Sequence, residues 1–292
     1  LTPFIFLISL ILVFSKSMAE PNFVQSKSLD SNFYLGLNFN NDGTKMYTVN
    51  AGASDAVIEH ILTTPYDIST AIVNNTFGVS RGGDTQATQV VFNNDGTKMF
   101  IVNHAGRKTV DYWSLTTAFD VSTATFDDGY SISGQEKRAN SIAFNNDGTR
   151  MVVAGVGNDS QVRIHEYSLS TGFDLSSTVT HLNTQDLISF QNHIDGVTFN
   201  YDGTKMYTIT HMNKDGTEAQ DLMYQFKLTT PYDVSTLSLE GTYTVSSVSG
   251  DSREVVFSND GSKMFIIDDD NDKVHEFNLS CNWSIIDGAC DD

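Results

Sequence analysis

The sequence is short of basic residues, of cysteine and of long apolar stretches. Lysine and arginine total 17 against 36 aspartates and glutamates, a net charge of −19. Phosphate recognition needs Lys and Arg, so this balance argues against nucleic acid and against anionic membrane surfaces. It suits a saline or calcium-containing exterior, where counterions screen self-repulsion; acidity that only maintains solubility is the plainer reading. No long stretch carries a 3.6-residue apolar period, so helices are not expected. His-Glu-x-x-His and phosphate-loop patterns are missing, which removes two common catalytic signatures.

The only two cysteines, Cys281 and Cys290, fall in the last twelve residues. In an oxidising compartment they read as one local disulfide, contributing roughly 2.5–3 kcal/mol in the chain-entropy view. A metal pair would need two more soft or imidazole ligands, and none is nearby in sequence. The one strongly apolar run, Phe4 to Phe14, is too short to cross a bilayer. Ser17 and Ala19 follow it at the spacing a signal peptidase reads, so residues 1–19 are expected to be a signal peptide cut after Ala19. A buried first strand is the alternative. The mature protein is therefore expected to be secreted, periplasmic or at the cell surface, with no integral membrane span. Losing the leader takes Lys16 with it and leaves a charge of −20.

What is present repeats. The phrase Phe39-Asn40-Asn41-Asp42-Gly43-Thr44-Lys45-Met46 returns at Phe92 to Met99, Phe144 to Met151, Phe199 to Met206 and Phe257 to Met264, in steps of 53, 52, 55 and 58 residues. A period near 50 points to a repeat architecture. In each repeat a short apolar strand A ends at the Phe, and Asn-Asp-Gly makes a hairpin turn. Strand B follows (Lys45 to Asn50 in the first repeat), then strand C, ending at Leu62, Leu115, Leu169, Leu228 and Leu279. A second phrase comes next: Pro65-Tyr66-Asp67-Ile68-Ser69-Thr70, with counterparts at 118–123, 172–177 and 231–236. Its Asp is expected to accept from a backbone N–H two residues on. Strand D shows best at Phe77–Ser80, Tyr130–Ser133 and Tyr243–Ser246. Five repeats of four antiparallel strands describe an all-β, five-bladed β-propeller. The repeats lie near 33–80, 86–133, 139–183, 194–246 and 252–285, and residues 281–292 form a disulfide-pinned tail.

The fifth repeat lacks a strand D, while residues 22–28 precede the first strand A. Phe23-Val24-Gln25-Ser26 has the spacing of Tyr130 to Ser133 and is expected to be the missing outer strand, closing the ring. A piece of a longer protein with an incomplete ring is the alternative. The phrases F-N-N-D-G-T-K-M-Y and L-T-T-P-Y-D-V-S-T resemble the secreted β-propeller repeats of marine bacterial and phage-borne proteins. These are distantly similar to WD-like and lactonase-like propellers. The resemblance covers residues 33 to 285 and implies fold but no catalytic residues.

Strand alternation puts the D–A and B–C loops on one face and the repeated phrases on the other. Sameness there suggests structure; the loops that differ are where a site can be grafted. Ligand-binding candidates on that face are His104, Arg138, His193, Asp195, His211 and Arg253. His193, Asp195 and His211 stand at neighbouring strand ends of one blade, placed to converge on a metal or substrate, with ordinary loop polar residues as the alternative. Asp268, Asp270 and Asp272 supply hard oxygens that suit Ca²⁺, the one cofactor suggested, although the Gly and distal Glu of an EF-hand are missing. A solvated turn is the other reading. Were the protein a glycosidase, its carboxylates would be Asp195, Glu254 and Asp268. The preferred function is a secreted, non-catalytic binding module for a glycan, protein or cation. The alternatives are a carbohydrate-active hydrolase and a structural subunit of an extracellular assembly.

Overall fold

The repeated Asn-Asp-Gly phrase closes the inner hairpin of every blade. Asn40 N–H reaches Lys45 O (3.1 Å), Gly43 N–H reaches Asn40 O (3.1 Å), and the Asp42 carboxylate accepts from Thr44 N–H (2.9 Å). Gly43 adopts a φ of +70°, which only glycine takes without strain. In the second phrase the Asp does bond two residues on: Asp67, Asp120, Asp174 and Asp233 accept from Ser69, Ser122, Ser176 and Ser235 at 3.0–3.1 Å. The two phrases are one unit. Tyr66, Phe119, Phe173, Tyr232 and Trp283 all have left-handed φ between 55° and 60°, and each ring lies against the repeat glycine, whose backbone carbonyl accepts its N–H (2.8–3.0 Å).

The computed structural model describes residues 20–30, 33–52, 55–82, 86–104, 106–156, 161–211 and 221–286. The expected signal peptide and Cys290 of the expected disulfide lie outside the described residues; Cys281 is buried. The amino-terminal strand is β1 (Asn22–Ser28). Blade one is β2 (Tyr34–Phe39), β3 (Lys45–Asn50), β4 (Ala56–Leu62) and β5 (Ala71–Gly78); blade two is β6 (Ala87–Phe92), β7 (Lys98–Asn103), β8 (Thr109–Leu115) and β9 (Ala124–Ser131). Blade three is β10 (Ala139–Phe144), β11 (Arg150–Val156), β12 (Val162–Leu169) and β13 (Val179–Asp186); blade four is β14 (Gly196–Phe199), β15 (Lys205–Thr210), β16 (Leu222–Leu228) and β17 (Leu237–Thr244). Blade five is β18 (Ser252–Phe257), β19 (Lys263–Asp268) and β20 (Lys273–Asn278), with β1 as its outer strand. The chain is a five-bladed β-propeller. Among the described residues no helix is long and apolar enough to cross a membrane.

Two sequence expectations shift in detail. The outer strands start directly after the second phrase, so the segments quoted for strand D are only their ends. Their polar, exposed faces hide the strand from a reading based on apolar alternation. In β1 the counterpart of Ile132 is Leu29, not Gln25. Leu29 N–H bonds Asp272 O as Ile132 N–H bonds Lys108 O, so the expected alignment was off by four residues. Gln25 instead faces blade one, donating to Asp67 (2.9 Å) and Glu276 (2.8 Å).

The core is divided among the blade interfaces. One cluster joins Tyr47, Val49 and Val57 to Val90, Phe92 and Met99; another closes the ring by joining Leu37, Phe39 and Met46 to Phe265, Ile267 and Val274. The five repeat methionines are fully buried in these seams, as adaptable gap-fillers should be. Buried glutamates bolt neighbours together. Glu59 accepts from Val121 N–H (3.1 Å), Glu166 from Val234 N–H (3.2 Å) and Glu276 from Ile68 N–H (3.3 Å). Each is paired with the strand-B base of its own blade, Lys45, Arg150 or Lys263.

His60 occupies the repeat position of Trp113, Tyr167, Phe226 and Phe277 and is 4% exposed. Burial, helped by Lys27 and opposed by Asp30, pushes its pKa down to about 4. A depressed histidine contributes stability that is intact above its unfolded pKa near 6.5 and is lost as pH falls through about 4. We expect wild-type protein to lose roughly 2–3 kcal/mol at pH 4.5 through this residue alone. His60→Phe should remove that part of the acid loss, seen by comparing urea unfolding of the two proteins at pH 7 and 4.5.

Candidate functional site

The mouth of the ring is made by a β-bulge. Pairing of strands A and B skips one residue between Tyr34 and Gly36, Ala87 and Gln89, Ala139 and Ser141, and Ser252 and Glu254. The skipped residues are Leu35, Thr88, Asn140 and Arg253, and Asp195 stands at the same repeat position ahead of β14. A bulge re-aims a side chain, and here all five turn into the channel. Above them come Phe33, Gln86, Arg138 and His193, and beside them, after strand B, His104, Val156 and His211. These twelve residues line a cavity of about 460 Å³.

All six ligand-binding candidates from the sequence, His104, Arg138, His193, Asp195, His211 and Arg253, stand in this lining. Sequence reasoning passed over Phe33, Leu35, Gln86, Thr88, Asn140 and Val156, because it weighted ionisable residues. The available signal was their repeat position, shared with the candidates. Asp251 and Asp269 were also missed; both hold Arg253 through its Nη2, the second at 3.5 Å.

Charge is concentrated on the wall from blades four and five. Asp195 is its centre: His211 Nδ1 lies 2.7 Å from Oδ2, His193 Nδ1 3.1 Å from Oδ1, and Arg253 Nη1 3.3 Å from Oδ1. Burial works to raise the Asp195 pKa, but the two imidazoles outweigh it and hold the carboxyl well below the usual range. Burial works to lower the His211 pKa, and the Asp195 hydrogen bond reverses this. Burial pushes the Asp251 carboxyl up to about 6, against Arg253 and His211. Blade four also breaks the backbone pattern here. In the other blades the residue after strand B donates its N–H to a backbone carbonyl, as His104 does to Gln86 (2.9 Å). His211 donates to the Asp195 carboxylate instead (3.1 Å).

The facing wall carries no carboxylate and is partly apolar. Asn140 is fixed by Ile194 O and by the His104 ring (both 2.6 Å). Burial lowers the His104 pKa against that hydrogen bond. The Arg138 guanidinium is exposed and makes no hydrogen bond or ion pair among the described residues.

Glu254 and Asp268 do not line the cavity. Glu254 lies one residue deeper, where it accepts from Ser141 Oγ and Val255 N–H (both 3.0 Å). Burial pushes its carboxyl well above the ordinary value. A Cβ at Gly196 would sit 2.3 Å from Glu254 Oε1 and 3.0 Å from its Cα, so a larger residue there would displace the Glu254 side chain. The Asp268 carboxylate is already used by His275 (3.1 Å), Asn271 (2.8 Å) and the Gly250 and Asp251 N–H groups (3.3 Å). Burial is outweighed by these partners, which draw its pKa to about 2. Among the described residues, the one set of three whose ligand atoms all fall within 4.8 Å of one another is His193, Asp195 and His211, not Asp268, Asp270 and Asp272.

No family model and no curated protein matches the chain. Solved structures similar to it are propellers and lactonases at low identity. A candidate 6-phosphogluconolactonase of Bacteroides uniformis has a TM-score of 0.47 at 11% identity, covering 73% of this chain and 57% of that one. The chain thus spans little more than half of that protein's length. The periplasmic gluconolactonase of Pseudomonas aeruginosa has a TM-score of 0.49 at 15% identity, covering 87% and 68%. The Swd1 β-propeller domain of Myceliophteria thermophila has a TM-score of 0.46 at 8% identity, covering 89% and 100%.

Proposed function

We propose that this propeller is a secreted, non-catalytic binding module that takes a small acidic sugar in the mouth of its channel. The observation that carries this is the cavity itself. Three repeat positions whose residues differ between blades line it, and these positions meet in one concavity of about 460 Å³. That volume suits a ligand of one or two sugar rings. Phe33 and Leu35 offer an apolar platform, Gln86, Thr88 and Asn140 offer neutral hydrogen bonding to hydroxyls, and the exposed Arg138 guanidinium suits a carboxylate. The leader-like first 19 residues support export.

A glycan array followed by calorimetry tests this. Uronate-bearing sugars should be retained and recovered intact. Arg138→Ala and Phe33→Ala should each weaken binding at least about tenfold with unfolding unchanged. Binding that ignores both substitutions would place the ligand elsewhere. Cleaved sugar would favour the hydrolase reading, for which the Asp195–His211 contact is the specific support, since a carboxylate can orient an imidazole base.

A further inference from the structure

We propose that His193, Asp195 and His211 hold one transition-metal dication of the zinc, cobalt or nickel kind on the charged wall of the cavity. This rests on the cavity being the binding site and adds a metal to it. Three observations carry it. The donor set comes first: two imidazole nitrogens and a carboxylate oxygen lie within 4.8 Å of one another. Imidazole with carboxylate suits these metals, whereas Ca²⁺ prefers oxygen alone. Three protein ligands beside a cavity leave a coordination position open to a ligand.

The second observation is the state of the donors. His193 Nδ1 is buried, yet although it lies 3.1 Å from Asp195 Oδ1 it makes no hydrogen bond. Asp251 Oδ1, 3.7 Å from His211 Nδ1, is likewise buried without a hydrogen-bond partner.

Charge is the third. Three carboxylates, Asp195, Asp251 and Asp269, share a single guanidinium, that of Arg253. With neutral imidazoles the cluster carries two uncompensated negative charges, which a dication cancels. Arg253 competes for Asp195, but its Nη2 also has Asp251 and Asp269, so it can cede Asp195 and stay paired. The site was half legible in sequence: His193, Asp195 and His211 sit at adjacent strand ends, while Asp251 and Asp269 became part of it only through Arg253.

The test is titration of the mature chain with Co²⁺, followed by visible absorption, and with Zn²⁺, followed by calorimetry. One ion should bind per chain, and excess Zn²⁺ should raise the unfolding temperature. His193→Ala and His211→Ala should each weaken binding at least about 100-fold and abolish the thermal shift. His181→Ala, on the exposed outer strand of blade three and outside the cavity, should leave both unchanged. Absence of stoichiometric uptake, or uptake indifferent to His193→Ala, overturns the proposal. Repeating the sugar titration in chelator separates the two readings. Sugar bound equally well by a protein that takes up no metal removes the metal site and leaves the binding module. Metal bound by a protein that retains no sugar removes the binding module and leaves the metal site.

Discussion

Deleting residues 20–29 should abolish the cooperative unfolding transition of this protein. The segment contributes the whole outer strand of blade five. With it go the Ser26–His275 bond (2.8 Å) and the Gln25 bonds to Asp67 and Glu276. The edge-to-face contact of the Phe23 ring with Phe277, 5.7 Å between centroids, is lost as well. The Glu276 network suffers most, because that carboxylate also accepts from Ile68 N–H of blade one and pairs with Lys263. Losing β1 therefore bares an edge strand and loosens the seam between the last blade and the first. We expect a broad, low-temperature melt in place of a single transition, with recovery when a peptide of residues 20–30 is supplied. A deletion variant that melts sharply within about 5 °C of the parent would show that the ring does not depend on this closure.

Gly148→Ala should cost roughly 3 kcal/mol or more, a fall of about 10 °C in Tm. Two effects add. Gly148 has a φ of +69°, and its new Cβ would lie 2.2 Å from Phe173 Cδ2. Phe173 cannot easily withdraw, since it is itself held at a left-handed φ of 55° and its carbonyl accepts from Lys98 Nζ of blade two (2.9 Å). Gly134→Ala is the control: a Cβ there meets nothing within 4 Å, and Tm should move by no more than about 1 °C. Equal effects at the two glycines would contradict the pairing of the repeated phrases.

The parts of the fold legible in sequence were those the chain repeats from blade to blade. The Asn-Asp-Gly turn, the buried methionines and the aspartate two residues before its serine each recur, so each could be assigned by comparing repeats. Where a residue has no such echo, the reading slipped. Gln25 was aligned with Ile132 because apolar spacing alone cannot register a strand whose outer face is wet. The bulge that aims Leu35, Thr88, Asn140 and Arg253 inward leaves no mark, because each blade puts a different residue type there. Glu59, Glu166 and Glu276 look like solvent-facing charges in an alternating strand, yet all are at most 1% exposed. Only their shared repeat position hinted at a structural duty. The cavity was legible through its histidines and arginines. Its partly apolar wall was not, because residues such as Phe33 and Val156 are ordinary loop neighbours until the ring brings them together.

The central claim is that the repeated face maintains the fold while the charged mouth serves a ligand. It is tested most directly by thermal unfolding of a variant whose mouth is filled with residues other blades already carry there: Asp195→Asn, His211→Val, Asp251→Gln, Arg253→Thr and Asp269→Ala. Buried charges kept for function can be replaced without loss of stability. A Tm at or above that of the wild type is expected, together with loss of metal binding. A fall of more than about 5 °C would contradict the claim and make the cluster part of what holds the ring together.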